Sequence, residues 1–456
     1  MNLSSSKKYI VKLSSNISYI FYLSQSEIIE CNIYNSDGSL LSNEQIGKHK
    51  TKDFSVTIDS ADKIHLVCIA PDGNLLYYLF HNSEWEHKII SKLDVKSNTY
   101  RYLMLYIKNR TTHIIYSRSN LLNPVVYTIE HLYWSSKTIT KKTVTSYLPG
   151  KHPRSYQVQV DSVGNIHLVY NSLYKYTNQL YYIKFNLLHK KWSLCEIISD
   201  AKNEQSHPSI LIDKKDSLHV VWCAIENSNF TLKHKLKPNV SNPRFNWRPT
   251  KNVLNDNSNY IAPLIIEFEN ALHLYCKKNN DVFESISVDD GRNWSNINIK
   301  ALNKDNNIEI FCYVSNSVSD IKKLTISQLY AIANSTLQFI GIDINPAKKN
   351  DDDTCNHKIQ CQHATYVSTN TANLTTCKTD IDSTELTLTE VKNRLHEIEI
   401  EQSKLETKLE GYRKDLHIIN ENILSTHDEC SLLDQKIALS QPDKVSLAKR
   451  IKTFFK

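Results

Sequence analysis

Runs of five or six β-branched and aromatic residues, broken by Asp, Asn, Gly and Ser, fill the first 340 residues of the chain. Phe54 to Asp59, Ile64 to Ile69, Leu75 to Phe80 and His87 to Ile90 form one such set, with Pro71-Asp72-Gly73-Asn74 as a turn. This pattern predicts short strands joined by hairpins. One phrase recurs within it: Ile64-His65-Leu66-Val67, His113-Ile114-Ile115-Tyr116, Ile166-His167-Leu168-Val169, Leu218-His219-Val220-Val221 and Leu272-His273-Leu274-Tyr275. The His spacings are 48, 54, 52 and 54 residues. Six residues before four of these His lies an acid: Asp59, Asp161, Asp213 or Glu267. A Trp (Trp85, Trp134, Trp192, Trp247, Trp294) follows each by 20 to 28 residues.

Four antiparallel strands per repeat of roughly 50 residues is the blade of a β-propeller. First strands begin near Tyr9, Phe54, Tyr102, Tyr156, Ser209, Pro263 and Ile308. Seven starts favour seven blades. The alternative is six, with the final strands completing the first blade. The expected fold is therefore mainly β, a six- or seven-bladed propeller over residues 1–342.

The pattern changes after Ile342. Residues 343–380, with Asp351-Asp352-Asp353 and a Thr, Asn and Ser stretch, read as a flexible linker. From 381 to 440 apolar positions step by three and four residues, which predicts a long α-helical coiled coil. With Leu388, Leu395, Gln402, Leu409, Leu416 and Ile423 at a positions and several Ile or Val at d, trimers or tetramers are favoured over dimers. Residues 443–456 form a short basic amphipathic segment that suits a bundle cap, a partner or an anionic membrane surface.

Composition adds four points. The 40% hydrophobic content supports a large core, and 25 Tyr beside 8 Gly suits faces of blades packed on one another. Ten Cys spread through a long chain argue for reduced thiols. No apolar run approaches the ~20 residues of a membrane span, and Met1 to Lys12 lacks the order of a secretion signal. A soluble protein without a signal peptide is expected, cytoplasmic or assembled on a surface without classical secretion. Residues 341–456 hold 16 Lys+Arg and 19 Asp+Glu, so the net charge of +7 divides into +10 on the first 340 residues and −3 behind them. A basic head favours anionic partners, and no phosphate loop or nucleic-acid motif accompanies it, so nucleic acid is not expected.

Ser287-Val288-Asp289-Asp290-Gly291-Arg292-Asn293-Trp294 resembles the Asp-box of sialidase-like propellers, also called bacterial neuraminidase repeats, with Asn293 in place of Thr. The resemblance implies a turn between third and fourth strands, with Ser287 and Asp289 capping backbone donors, Gly291 at positive φ and Trp294 packed. It is a resemblance of fold. Sialidases carry an arginine triad, a Tyr nucleophile with a Glu partner and an Arg-Ile-Pro type motif; this chain has ten Arg, none before Arg101, and no such motif.

The recurring His65, His113, His167, His219 and His273 are expected to pack or hydrogen-bond between blades, and Trp85, Trp134, Trp192 and Trp247 to lie mostly in the core. Cys355, His357, Cys361 and His363 could ligate zinc, but their spacing matches no closed site. No cofactor and no catalytic residue are indicated. The function expected is non-enzymatic recognition of a glycan or another surface polymer or protein by propeller heads multimerised on a stalk. The alternatives are a glycoside hydrolase of sialidase-like type and a structural component of a cell, spore or phage surface.

Overall fold

The computed structural model describes residues 7–135, 138–149, 156–242, 244–254, 259–302 and 308–342, with Ile400, Ser403, Thr407, Glu410 and Gly411. The chain divides into two compact units, Met1–Asp353 and Thr354–Lys456.

Alternating β-branched and aromatic residues form the strands of the first unit, and Asn, Asp and Gly at positive φ turn them. Blade 1 is Tyr9–Lys12, Ser18–Leu23, Ile29–Tyr34 and Leu40–Ile46. Blade 2 is Asp53–Ile58, Ile64–Ile69, Asn74–His81 and Glu84–Lys92. Blade 3 is Asn98–Lys108, Thr111–Asn120, Tyr127–Trp134 and Thr140–Tyr147. Blade 4 is Gln157–Val160, Ile166–Tyr174 and Thr177–Asn186, edged by Lys191–Trp192 and Glu196–Ile197. Blade 5 is Glu204–Ile212, Leu218–Glu226, Asn229–Lys237 and Lys251–Asn252. Blade 6 is Ile261–Phe268, Ala271–Lys278, Asp281–Ser287 and Asn298–Ala301. All neighbours within these six blades pair antiparallel.

All seven expected strand starts are occupied, yet the described residues make six sheets. The last group, Glu309–Ser315, Gln328–Ala333 and Leu337–Phe339, does not stand alone. Its first strand pairs in parallel with the first strand of blade 1, Tyr9 opposite Cys312 and Lys12 opposite Ser315. The expectation of seven separate blades is corrected to this extent. Nor do the final strands complete blade 1, which already has four strands of its own; they extend its inner side.

The core lies in the seams. Six hydrophobic clusters each fill one gap between consecutive blades, and the last combines Ile10, Ile20 and Tyr34 with Leu264, Ile266, Phe311 and Tyr330. Six seams for six sheets give a closed, propeller-like ring. Burial falls outward: the second strand of blade 2 is buried throughout, whereas the fourth strand of blade 1 is exposed in all but its last residue. At one end of the ring the short helix Val318–Lys323 places Asp320 beside Lys12. That pair is 3.4 Å apart, is 3% exposed on each side, and receives hydrogen bonds from Tyr313 and Ser315. It joins the first strand to the last group.

In the second unit the five described residues are helical and exposed. Thr407 Oγ1 donates to the Ser403 carbonyl one turn earlier. The heptad positions Leu388, Leu395, Gln402, Leu409, Leu416 and Ile423, and the candidate ligands Cys355, His357, Cys361 and His363, lie outside the described residues. Among the described residues, no helix is long and apolar enough to cross a membrane.

Candidate functional site

The recurring His residues occupy the second strand of blades 2 to 6. Their hydrogen bonds run within a blade, while packing reaches across a seam, as in His113 of blade 3 against Phe185 of blade 4. His167 Nε2 donates to Asp161 at 3.1 Å, which leaves Nδ1 to accept from the Tyr182 hydroxyl at 2.8 Å. In blade 5 His219 meets Asp213 at 3.1 Å and His234 at 3.1 Å. In blade 2 His65 meets Asp59 at 3.2 Å and Tyr77 at 2.5 Å. His113 meets His131 at 3.0 Å, and His273 meets Glu284 at 2.9 Å. The acid six residues upstream thus fixes the ring in three blades. Glu267 does not follow suit, since it accepts from Lys214 N of blade 5 and from Thr325.

The phased Trp residues carry the contact across the seam. Each packs on an aromatic ring of the preceding blade: Trp85 on Phe21, Trp134 on Tyr77, Trp192 on His131, Trp247 on Tyr182 and Trp294 on His234. All five are partly buried and pack against the hydrophobic clusters of the seams, whereas Trp222, which falls outside the Trp phase, is fully buried. Burial pushes His113 down to about 4 and His234 down to about 3, and also depresses His65, His131 and His167. Neutral, enclosed rings of this kind hold blades in place and offer nothing to a ligand.

The turn at Ser287–Trp294 lies between the third and fourth strands of blade 6. Ser287 Oγ accepts from Gly291 N at 2.9 Å, and Asp289 accepts from Asn293 N at 2.8 Å and from its amide at 2.7 Å. These bonds, the Asn293 backbone first, bring Asp289 down to about 2. Gly291 has φ +76°, and a Cβ there would fall 2.2 Å from His234 Cε1.

Near the axis the inner strands are stitched by tyrosines. Tyr156 OH donates to the Tyr102 carbonyl at 2.7 Å, Tyr106 to Val158 at 3.1 Å and Tyr330 to Ala262 at 2.7 Å. Burial raises all three hydroxyls well above the usual phenol range. The described arginines sit on blades 3, 5 and 6 alone. A Tyr–Glu pair exists, Tyr275 to Glu284 at 2.6 Å, but it is enclosed behind blade 6, with Tyr275 also donating to the Gly341 carbonyl. Burial opposes ionisation of Glu284, yet hydrogen bonds from His273, Tyr275 and Lys300 hold it at about 2. Burial and that carboxylate together keep Tyr275 protonated.

A cleft of about 310 Å³ opens between blades 2 and 3, a volume at the small end of ligand pockets. The turn at Gly73 shapes its wall: Gly73 has φ +88°, and a Cβ there would fall 2.3 Å from the Leu93 carbonyl. Glu130, 2% exposed, accepts from Arg118 Nε at 2.5 Å and pairs with Lys141 at 2.5 Å. The Glu130 contact holds the Arg118 guanidinium more firmly protonated than usual. Asn98 accepts from Arg118 Nη1 at 3.5 Å. Tyr100 and Asp94 complete the lining. Register puts Tyr100 opposite Arg118, and Tyr116 opposite Glu130. The Tyr116 hydroxyl, fully enclosed and close enough to feel Glu130 and Arg118, has no protein hydrogen-bond partner. Asp94 caps the Lys96 and Ser97 amides at 3.1 and 3.2 Å and is held below the usual carboxylate range, the Ser97 side chain contributing most.

None of these cleft residues was singled out by sequence reasoning. They follow no motif, and the one available signal was the opposed charges of Arg118 and Glu130 across a predicted hairpin.

No known family model and no curated protein matches the sequence. Solved structures resemble it at low identity. A polysaccharide lyase of a family described as ulvan lyase, solved with a GlcA-Rha3S ligand, has TM-score 0.49 and 13% identity over 74% of this chain and 94% of its own. A lectin of Aleuria aurantia, solved with Fucα1-6GlcNAc, has TM-score 0.40 and 12% identity over 65% and 95%. The α-L-arabinanase of Penicillium chrysogenum, solved with arabinobiose, has TM-score 0.38 and 11% identity over 60% and 92%.

Proposed function

We propose that this chain is a non-enzymatic recognition protein whose head binds a glycan in the cleft between blades 2 and 3, with the heads gathered by a coiled-coil stalk. The observation that carries the reading is the Arg118–Glu130–Lys141 group at the cleft floor. A sugar presents hydroxyls that both donate and accept, together with an apolar ring face. The cleft matches this with cationic donors, the two-way amide of Asn98 and the ring of Tyr100.

Binding without turnover is supported by the state of the carboxylates. A glycosidase needs a protonated acid beside its partner carboxylate. Glu130 is instead clamped between two cations, and Asp94 is committed to backbone amides. The 287–294 turn supports reading the head as akin to sialidase-like propellers in fold. Stalk multimerisation would raise the avidity of weak heads without any new contact. A glycan array paired with a panel of fluorogenic glycosides tests the proposal. The expected result is a discrete set of bound glycans with no turnover; hydrolysis of any glycoside, or an empty array, would overturn it.

A further inference from the structure

Beside the cleft lies a surface that the repeat does not require. In each antiparallel blade the loop joining second and third strands shares one end of the ring with the connection to the next blade. In blade 3 that loop reads Leu121-Leu122-Asn123-Pro124-Val125-Val126. Leu122 is 96% exposed, and Leu121, Val125 and Val126 are exposed beside it. Hairpin tips are ordinarily polar, so four exposed aliphatic residues in six are anomalous. Backbone bonds hold the segment: Leu121 N donates to Ser97 O at 2.9 Å, and Leu122 N to Asn120 Oδ1 at 2.8 Å. The same end of the next seam adds Leu148, Tyr174 and Tyr176, the last 95% exposed. Leu148 is tied there by its carbonyl, which accepts from Leu173 N at 2.6 Å.

Cations flank this apolar rim: Lys92 and Lys96 before it, Arg118 at its base, and Lys175 lying over the Tyr174 ring at 5.6 Å. Asp72 pairs with Lys92, Glu130 pairs with Arg118 and Asp94 accepts from backbone amides, so of these cations Lys96 and Lys175 are the two without an ion pair among the described residues. The head as a whole carries +10. Aliphatic and aromatic tips ringed by basic residues, on a positively charged body, are the chemistry that enters the boundary between headgroups and acyl chains of an anionic bilayer.

We infer that the rim formed by 121–126, Leu148 and Tyr176 docks on an anionic lipid surface and brings the neighbouring cleft to face it. Leu122 and Val125 enter the interface, and the flanking lysines meet the lipid phosphates. The inference does not depend on what fills the cleft.

Flotation of the full chain with phosphatidylcholine vesicles, with and without phosphatidylserine, tests it alongside the L122D/V125D variant. Both side chains are exposed, so the variant should keep the wild-type melting temperature. The expected result is binding that requires phosphatidylserine, weakens with salt and falls about tenfold or more in the variant. Absence of vesicle binding, or binding unchanged in the variant, would overturn the inference. So would self-association of the wild type that the variant abolishes, because the rim would then be an interface between copies. Soluble glycan binding, measured on both proteins, separates the two claims. Its loss from both, with vesicle binding intact, would sink the proposed function alone, and its persistence without vesicle binding would sink the docking inference alone.

Discussion

Lowering the pH should unfold this head well before its carboxylates become protonated. His113 and His234 lie in sealed seams and, pushed down by burial, take up protons only at about 4 and about 3; His131 is depressed in the same way. An unfolded chain protonates these rings near the ordinary value of 6.5. Between the two values the unfolded state binds more protons than the folded one, so the stability these groups support is complete above pH 6.5 and is lost as pH falls toward 4. Each contributes a slope of about 1.4 kcal/mol per pH unit, hence roughly 2 kcal/mol lost by pH 5. His113 and His234 together lose roughly 4 kcal/mol, a large share of the ~5–15 kcal/mol that holds a typical domain together, and the depressed His131 adds to the loss in the same direction. Asp59, Asp161 and Asp213, held below their usual range by bonds from His and backbone, act in a separate, lower window. Their share is present above the unfolded carboxylate value and is lost only as pH falls through the folded one. Urea melts at pH 7, 6 and 5 measure the effect, with His234→Gln expected to lower the slope by about 1.4 kcal/mol per unit. A free energy flat to within about 1 kcal/mol from pH 7 to 5 would refute the burial argument.

Two further perturbations follow from the fold, and one measurement tests the proposed stalk. Lys12→Met leaves Asp320 charged and buried, and should cost about 3–5 kcal/mol in urea melts, whereas adding Asp320→Leu should restore much of the loss. Gly291→Ala forces an L residue into positive φ against the His234 ring and should cost roughly 2 kcal/mol or more by the same assay. Sedimentation equilibrium of the full chain is expected to return three or four times the chain mass; a monomer would remove the stalk from the account.

Much of the architecture was readable because it repeats. The His phrase marks second strands, and the acid six residues earlier is the group that orients the ring in His65, His167 and His219. Sequence spacing could not show that these bonds stay within a blade, since a side chain on one face of a strand can meet a neighbour on its own sheet or one across the seam. The Trp phase was legible, and each of these partly buried rings packs on the hydrophobic cluster of its seam. Parallel pairing of Tyr9–Lys12 with Cys312–Ser315 joins segments some 300 residues apart, and no local pattern announces it. The cleft was hidden for a related reason. Asn98, Tyr100, Arg118, Glu130 and Lys141 come from all four strands of one blade, each ordinary in its local context.

The most direct test of glycan recognition in that cleft is calorimetric titration of an array-identified oligosaccharide into wild type, Arg118→Ala and Asn98→Ala. Arg118→Ala leaves Glu130 paired with Lys141, so the fold should survive. The account predicts saturable binding by wild type, a loss of about tenfold or more in Arg118→Ala, the size of one hydrogen bond to a charged group, and a smaller loss of about two- to tenfold in Asn98→Ala, the size of a neutral one. Equal affinity in all three proteins would contradict it.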